Sequence, residues 1–298
     1  MNSSRSSALP FAAFFGCCLV WGSTFLVIQL GNAAMPPFWA ASVRLAIALA
    51  LLLILLRVFR IPFPRGDAFR AAAAFGFLNF GVSFTLLYWG ETRVPSGLTA
   101  VLYATVPLST SLFARAFGLE RLSKWKLLAA VIAIAGVAVI FAEQIRGNFG
   151  LLHLLAILTA ATSASLSGVM LKRGPRQHPL AANAGGAVAG LPVCLLASFV
   201  AREPHALPSG WPAWGPLLYL STVGSIGAFG LYAWLVNRWP VSRISFIAVV
   251  VPVVALLLGA AIHQERLTSA QALGSMFVVA GVVLAILSDR AAPRSGGH

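Results

Sequence analysis

The chain has 298 residues, of which 59% are hydrophobic and only 9% are charged, whereas about 25% of the residues in a typical soluble domain are charged. A mean hydropathy of +0.89 leaves too little polar surface to cover a water-soluble particle. The composition therefore excludes a soluble fold and predicts a chain embedded in a lipid bilayer. The net charge of +14 does not indicate nucleic acid, because no basic stripe with interleaved aromatics stands apart from the apolar runs.

Ten apolar segments follow one another along the chain with short interruptions. Each is about long enough to cross the hydrocarbon layer as a helix, in which all backbone polar groups are satisfied internally. The predicted spans, numbered 1 to 10, are 9–31, 37–59, 68–90, 96–117, 124–142, 150–171, 180–200, 213–236, 243–263 and 269–288. The sequence thus predicts an all-α polytopic membrane protein.

The basic residues predict the orientation of these spans. If the N-terminus is cytoplasmic, sixteen of the 21 Lys and Arg residues fall on the cytoplasmic side, four fall outside, and Arg44 lies within span 2. Cytoplasmic loops carry an excess of Lys and Arg. We therefore expect a bacterial inner-membrane protein with both termini in the cytoplasm.

The chain also repeats itself at a fixed spacing of 145 residues. Scarce residue types recur in register without a gap, as Trp89, Arg93, Pro95, Pro107, Glu120, Arg121, Leu122 and Gly136 and as Trp234, Arg238, Pro240, Pro252, Glu265, Arg266, Leu267 and Gly281. The repeats predict two units, residues 1–145 and 146–298. Each unit holds five spans, an odd number, so the second must cross the membrane in the opposite direction. Inverted repeats of this kind are typical of secondary transporters, whose substrate sites lie near the midplane between the halves.

Several motifs resemble the drug/metabolite transporter superfamily and, within it, the EamA-type exporters. They are Trp21-Gly22-Ser23-Thr24-Phe25, Arg44, and the block from Pro107 to Gly136 with its second copy. The sequence is most similar to the bacterial aromatic amino acid exporters of this group. The resemblance implies that spans 1, 3, 4, 6, 8 and 9 surround a central cavity, while spans 5 and 10 pack together on one side.

The expected cavity helices carry polar and aromatic residues that suit a zwitterion with an apolar side chain. The candidate substrate-binding residues are Trp21, Asn79, Ser83, Tyr103, Ser163 and Tyr232. For each of them, interhelical packing or anchoring at the membrane interface is the alternative role. We expect no metal and no cofactor, since the three cysteines lie within apolar runs without metal or disulfide spacing.

Arg44 is the one charged residue predicted to lie inside a span. It could bind a substrate carboxylate, or it could bridge helices by bonding backbone carbonyl groups. Because span 2 is not expected to line the cavity, the sequence favours the structural role.

Pro107 and Pro252 occupy equivalent positions within two spans. Proline removes a backbone hydrogen bond and bends a helix, so a matched pair could serve as a gate for each side of the membrane. A static kink that shapes the cavity is an equally good interpretation.

The sequence therefore predicts a transporter that exports amino acids, aromatic or otherwise neutral, by alternating access. All seven acidic residues fall in loops or at span ends, which favours a facilitator over carboxylate-based proton coupling. The alternatives are an exporter of another neutral metabolite or a nucleotide sugar, and a proton-coupled antiporter. We do not expect an enzyme, because no nucleophile, metal or paired-acid motif lies in the spans.

Overall fold

The computed structural model describes residues 3–145, 149–263 and 268–291, and every regular element in these ranges is a helix. Ten long helices account for most of the described chain. They are α1 (Ser3–Asn32), α2 (Pro37–Val58), α3 (Gly66–Gly90), α4 (Ser96–Ala116), α5 (Lys124–Ile140), α6 (Leu151–Arg173), α7 (Pro179–Val200), α8 (Gly210–Val236), α9 (Val241–Ile244 and Ile247–His263) and α10 (Ser269–Ala291).

Eight of these helices are long and apolar enough to cross a bilayer, with spans of 20 to 27 residues. The other two, α5 and the main piece of α9, have 17 residues each, or about 26 Å at 1.5 Å per residue, close to the hydrocarbon thickness of about 30 Å. The predicted span ends lie within about one helical turn of the observed ends, apart from the start of α1. The predicted all-α polytopic fold is thus confirmed.

The outer surface of the bundle is apolar, as lipid requires. In α1, for example, Phe15, Leu19 and Leu26 expose more than half of their surface. In a soluble protein such a continuous apolar surface would mark an interface or an aggregation site. Here it is the surface that faces the hydrocarbon.

Two of the loop carboxylates stabilise helix starts on distant parts of the chain. Glu203, after α7, accepts hydrogen bonds from the backbone N–H groups of Phe38 (3.1 Å) and Trp39 (2.7 Å) at the start of α2. Glu120, after α4, accepts from the backbone N–H of Ser242 (3.3 Å) and from its hydroxyl at the start of α9. A helix start offers unpaired N–H groups and favours negative charge. The corresponding turn at Glu265 and Arg266 lies outside the described residues.

Helices α5 and α10 pack directly against each other through glycine. A methyl group on Gly136 would lie 2.5 Å from the Gly274 carbonyl oxygen, and one on Gly281 would lie 2.6 Å from the Ala129 carbonyl oxygen. Small residues let two backbones approach this closely inside a membrane. We call this unit the α5–α10 pair; its close packing agrees with the arrangement that the resemblance implies.

Four helices depart from regular α-geometry, and one of them is α9, which is interrupted at Ser245 and Phe246. Residues Phe77–Ser83 in α3 and Leu220–Ala228 in α8 form π-helical stretches, which are rare and frequent at functional sites. Helix α4 is interrupted at Ala104 and Thr105, between Ser96–Tyr103 and Val106–Ala116. The α3 stretch contributes residues to the wall of the central cavity, whereas the α8 stretch ends directly before a wall residue, Phe229.

Candidate functional site

A cavity of about 130 Å³ lies between the helices. For scale, an apolar cavity of about 150 Å³ is large enough to hold benzene. Its walls come from α1, α3, α4, α6, α8 and α9, the six helices expected around a cavity, and also from α2 through Arg44. The space therefore fits a small ring or an equivalent apolar group.

The structure brings five of the six candidate binding residues to this cavity. They are Trp21, Asn79, Ser83, Tyr103 and Tyr232. Ser163 is not among the wall residues, because its hydroxyl turns toward α3 and donates to the Leu78 carbonyl oxygen (2.8 Å). Ser165 lines the cavity in its place. Residues two apart lie on nearly opposite sides of a helix, and the sequence alone did not specify which serine faces inward.

Aromatic rings form one part of the wall. The Trp21 ring centre lies 4.9 Å from that of Phe229 and 5.6 Å from that of Tyr232, while Phe25 lies 5.2 Å from Tyr103. These separations are typical of favourable aromatic pairs. The rings offer an apolar surface whose faces also attract cations.

A second part of the wall is polar. The hydroxyl groups of Ser83 and Tyr103 are 3.0 Å apart and share a hydrogen bond. The Asn79 side chain is buried, and its Nδ2 has no hydrogen-bond partner among the described residues. A buried amide donor without a partner is costly and rare. Asn79 and Ser83 both belong to the π-helical stretch of α3, so this irregular segment presents both groups to the cavity.

Arg44 differs most from the sequence expectation. Helix α2 was expected to stay outside the cavity, yet the Arg44 side chain reaches the wall and is only 1% exposed. Its Nε donates to the Ser225 hydroxyl (3.1 Å) and its Nη1 to the Tyr88 hydroxyl (3.2 Å). The length of the side chain explains the difference, since it carries the guanidinium past the neighbouring helices into the interior.

The ring of Phe84 and the backbone of α2 complete the surroundings of Arg44. The guanidinium carbon lies 4.3 Å from the Phe84 ring centre. The Ser221 hydroxyl donates to the Arg44 carbonyl oxygen (3.0 Å). Ser221 and Ser225 both lie in the π-helical stretch of α8, so this stretch holds Arg44 by its backbone and by its side chain.

No described acidic side chain neutralises Arg44. The ion pairs in the described part of the chain are Arg70 with Asp67 (2.9 Å) and Lys126 with Glu120 (3.6 Å). Among the described residues that line the cavity there is no Asp, Glu or His. Within residues 3–145, 149–263 and 268–291 no group of three or more potential metal ligands occurs. The described wall is therefore mostly apolar and aromatic, with a few hydroxyl and amide groups and the positive charge of Arg44.

Glu91 is the one fully buried carboxyl of the described side chains, directly after α3. It is 2% exposed, and neither of its oxygens has a hydrogen-bond partner among the described residues. Burial raises the pKa of this carboxyl well above its ordinary value, although the neighbouring Thr99 hydroxyl opposes the shift. Glu91 does not line the cavity.

The two prolines proposed as a gate occupy different local structures. Pro107 lies in the first turn of the second segment of α4, after the interruption at Ala104 and Thr105. Pro252 lies inside Ile247–His263, and the interruption of α9 comes earlier, at Ser245 and Phe246. Proline is well tolerated in the first turn of a helix but bends the interior. The two helices therefore achieve their irregularity by different means.

Comparisons with known proteins agree with this geometry. The model of the EamA-like transporter family matches the chain twice, at residues 9–142 and 151–287. The chain is 35% identical over 286 residues to "Uncharacterized inner membrane transporter YedA" of Escherichia coli K12, covering 93% of this chain and 90% of that protein. It is 27% identical over 283 residues to "Probable amino-acid metabolite efflux pump" of the same organism, covering 91% and 93%. A solved crystal structure, 20% identical, covers 95% of this chain and 98% of its own with a TM-score of 0.75.

Proposed function

The chain belongs to the EamA-like transporter family, and from this premise we propose that it exports neutral amino acids, above all aromatic ones, across a bacterial inner membrane. The observation that carries the proposal is the cavity, in which aromatic rings and a few hydrogen-bonding groups face one small space. Such a wall suits a zwitterion with an apolar side chain. A relative at 27% identity whose printed name describes a probable amino-acid metabolite efflux pump supports the same substrate class.

We propose that residues 1–145 and 146–298 are inverted copies of one five-helix unit, with both termini in the cytoplasm. The 145-residue sequence repeat and the two matches of the family model support this division. The α5–α10 pair adds support. Gly136 corresponds to Gly281 in the second unit, and Gly274 corresponds to Ala129 in the first. Gly136 lies close to Gly274, and Gly281 lies close to Ala129 in the same way. Reciprocal contacts are typical of a two-fold axis.

We further propose that transport is facilitated rather than driven by protons. Relays and counter-ions in transporters use ionisable groups near the midplane, and the described part of the cavity wall carries no carboxyl or imidazole group. The proton-coupled antiporter remains the alternative, with the buried Glu91 as its candidate proton site.

A nucleotide sugar carries negative charge, and the positive charge of Arg44 in the cavity wall would suit it. The size of the cavity favours amino acids instead. About 130 Å³ is well below the roughly 300–1,000 Å³ of pockets for drug-sized ligands, and a nucleotide sugar is at least as large.

Transport into proteoliposomes tests the proposed function. We expect proteoliposomes that contain the purified full-length protein to equilibrate labelled Phe, Tyr and Trp faster than protein-free liposomes do. Thr and Met should equilibrate more slowly than the three aromatic amino acids. Substrate should not accumulate beyond equilibrium when a pH gradient is imposed. Uptake of all five amino acids at the rate of empty liposomes would contradict amino acid transport, and sustained uphill accumulation would contradict facilitation.

The gate is proposed at Pro107 and Pro252. If each proline lets one half of its helix move, Pro107→Ala and Pro252→Ala should slow transport and alter cavity access from opposite sides of the membrane. Accessibility is measured by labelling a cysteine placed at Ser245 in the cavity wall, in each variant and in the parent. Unchanged rates and labelling in both variants would show that the prolines only shape the helices.

A further inference from the structure

We infer that Arg44 binds the carboxylate of the transported solute, so that the protein prefers solutes that carry a carboxylate over analogues that lack it. The inference rests on the proposed function, whose substrate class it narrows. It starts from an imbalance of charge. Arg44 is 1% exposed and has no ion-pair partner among the described side chains. An uncompensated buried charge is strongly unfavourable, and arginine cannot escape the cost by losing its proton.

The hydrogen bonds of Arg44 leave donors unused. A guanidinium offers five N–H donors in a planar fork. Within the described residues, Ser225 and Tyr88 accept one hydrogen bond each, from Nε and Nη1, and Nη2 has no described acceptor. A carboxylate is the group that matches such a fork with two parallel hydrogen bonds.

The surroundings hold the guanidinium in a fixed position at the cavity wall. Ser221 binds the backbone of Arg44, Ser225 and Tyr88 accept from the side chain, and the Phe84 ring lies against the guanidinium. Gly224 is next to Nη2, and a methyl group there would lie 3.3 Å from it. A pre-positioned charge-assisted donor loses little entropy when it binds its ligand.

The rest of the wall explains how a cavity with the positive charge of Arg44 can bind a zwitterion, which carries an ammonium group of its own. None of the described residues that line the cavity is acidic, so none competes for Arg44 or binds a free amine. The ammonium of a zwitterion can instead lie against aromatic faces such as those of Trp21 and Tyr232. A solute that has the ammonium but lacks the carboxylate places a second cation beside Arg44, which is unfavourable.

Competition between matched ligands tests the inference directly. The readouts are binding of labelled phenylalanine to the purified full-length protein and its uptake into proteoliposomes. The competitors are hydrocinnamate, which has the ring and the carboxylate, and phenylalaninamide, which has the ring and the amine. In the wild type we expect hydrocinnamate to compete at least roughly tenfold better, because a site built for a polar group rejects analogues that lack it.

Replacement of Arg44 should remove this preference. In Arg44→Gln we expect the two competitors to become equal within about twofold, and in Arg44→Lys we expect an intermediate preference, since lysine keeps the charge without the fork. A purely structural arginine predicts something else: Phe, hydrocinnamate and phenylalaninamide lose affinity in proportion and their ratio stays as in the wild type. That result overturns the inference.

A second variant keeps the test decisive if Arg44→Gln does not fold. Gly224→Ala retains the charge but crowds Nη2, and we expect it to weaken phenylalanine binding several-fold while phenylalaninamide changes little. Gly230→Ala is the matched control, since nothing lies within 4 Å of a methyl group there. Equal effects of the two alanine variants contradict the inference. Binding of carboxylates by a wild type that does not transport them would contradict the proposed function alone, and binding of no carboxylate contradicts the inference.

Discussion

The α5–α10 pair and the cavity wall use opposite kinds of side chain for opposite purposes. In the pair, Gly136, Gly274 and Gly281 bring two backbones together, and no polar side chain is needed. In the wall, Asn79 keeps a buried amide donor without a described partner, and Arg44 keeps a buried charge without a described counter-ion, each at an energetic cost. Proteins retain such costs at functional sites. Substitutions in the pair should therefore change stability, whereas substitutions in the wall should change binding.

The largest expected effect is in the α5–α10 pair. Gly136→Ala places a methyl group 2.5 Å from the Gly274 carbonyl oxygen, and the two backbones must separate. Overpacking of this kind costs about 1–3 kcal/mol or more, so we expect a clear fall in Tm in lipid nanodiscs. Gly230→Ala is the control. Phenylalanine uptake per folded molecule should remain near the wild-type value. A loss of uptake at an unchanged Tm would contradict the expectation that substitutions in the α5–α10 pair change stability rather than binding.

Glu91 extends the comparison to a buried group away from the cavity wall. In the unfolded chain Glu91 ionises at its ordinary value of 4.5, whereas burial raises its pKa in the folded protein. The unfolded state then binds fewer protons, so stability falls as the pH rises above about 4.5, by at most about 1.4 kcal/mol per pH unit.

Glu91→Gln should remove this contribution. We expect the Tm of the variant to depend less steeply on pH than the wild-type Tm between pH 5 and pH 8, a range chosen to lie above the ordinary value. Transport should be unchanged. A steeper dependence would show that Glu91 is ionised in the folded protein. Substrate accumulation that a pH gradient drives in the wild type and that Glu91→Gln abolishes would favour the antiporter.

Trp21 tests the aromatic part of the wall. Trp21→Leu keeps an apolar side chain but removes the ring faces that lie near Phe229 and Tyr232. Aromatic pairs contribute about 0.5–1.5 kcal/mol, so the Kd for phenylalanine should rise about threefold to tenfold, with leucine binding less affected. If phenylalanine and leucine weaken equally, the ring faces do not contact the substrate.

The smallest effect is expected at the shared hydroxyl pair. Tyr103→Phe keeps the ring and removes the hydroxyl that lies 3.0 Å from Ser83. Net hydrogen-bond contributions are about 0.5–1.5 kcal/mol, and the affinity for phenylalanine should change by about tenfold at most. Ser83→Ala should have the same effect as Tyr103→Phe, because both variants remove the hydrogen bond between the two hydroxyl groups. Additive losses in the double variant would indicate that each hydroxyl contacts the substrate independently.

The sequence predicted the helices well, because an apolar run of about 20 residues in lipid has essentially one stable conformation. It could not predict which side of a helix faces inward, and so it selected Ser163 where Ser165 lines the cavity. The place of Arg44 at the cavity wall was not predicted, for another reason. Its helix lies behind the cavity, and only the packing of α2 against α8 shows how far the side chain reaches.

The helix irregularities were also beyond the sequence. Proline suggested bends at Pro107 and Pro252, but α4 is interrupted just before its proline and α9 at Ser245 and Phe246. The π-helical stretches carry no proline at all. Such stretches depend on the packing of neighbouring helices, which a single sequence does not reveal.

The most direct test of inverted halves is the sidedness of two equivalent helix starts. Lys124 and Ser269, which are 145 residues apart at the starts of α5 and α10, are both exposed, and the three native cysteines are buried. Lys124→Cys and Ser269→Cys are labelled separately in intact cells with a membrane-impermeant maleimide, with the parent protein as control. In intact cells we predict labelling of Ser269→Cys but not of Lys124→Cys. Lys124→Cys should become labelled only after the cells are opened. Labelling of both from the same side would contradict the inverted arrangement.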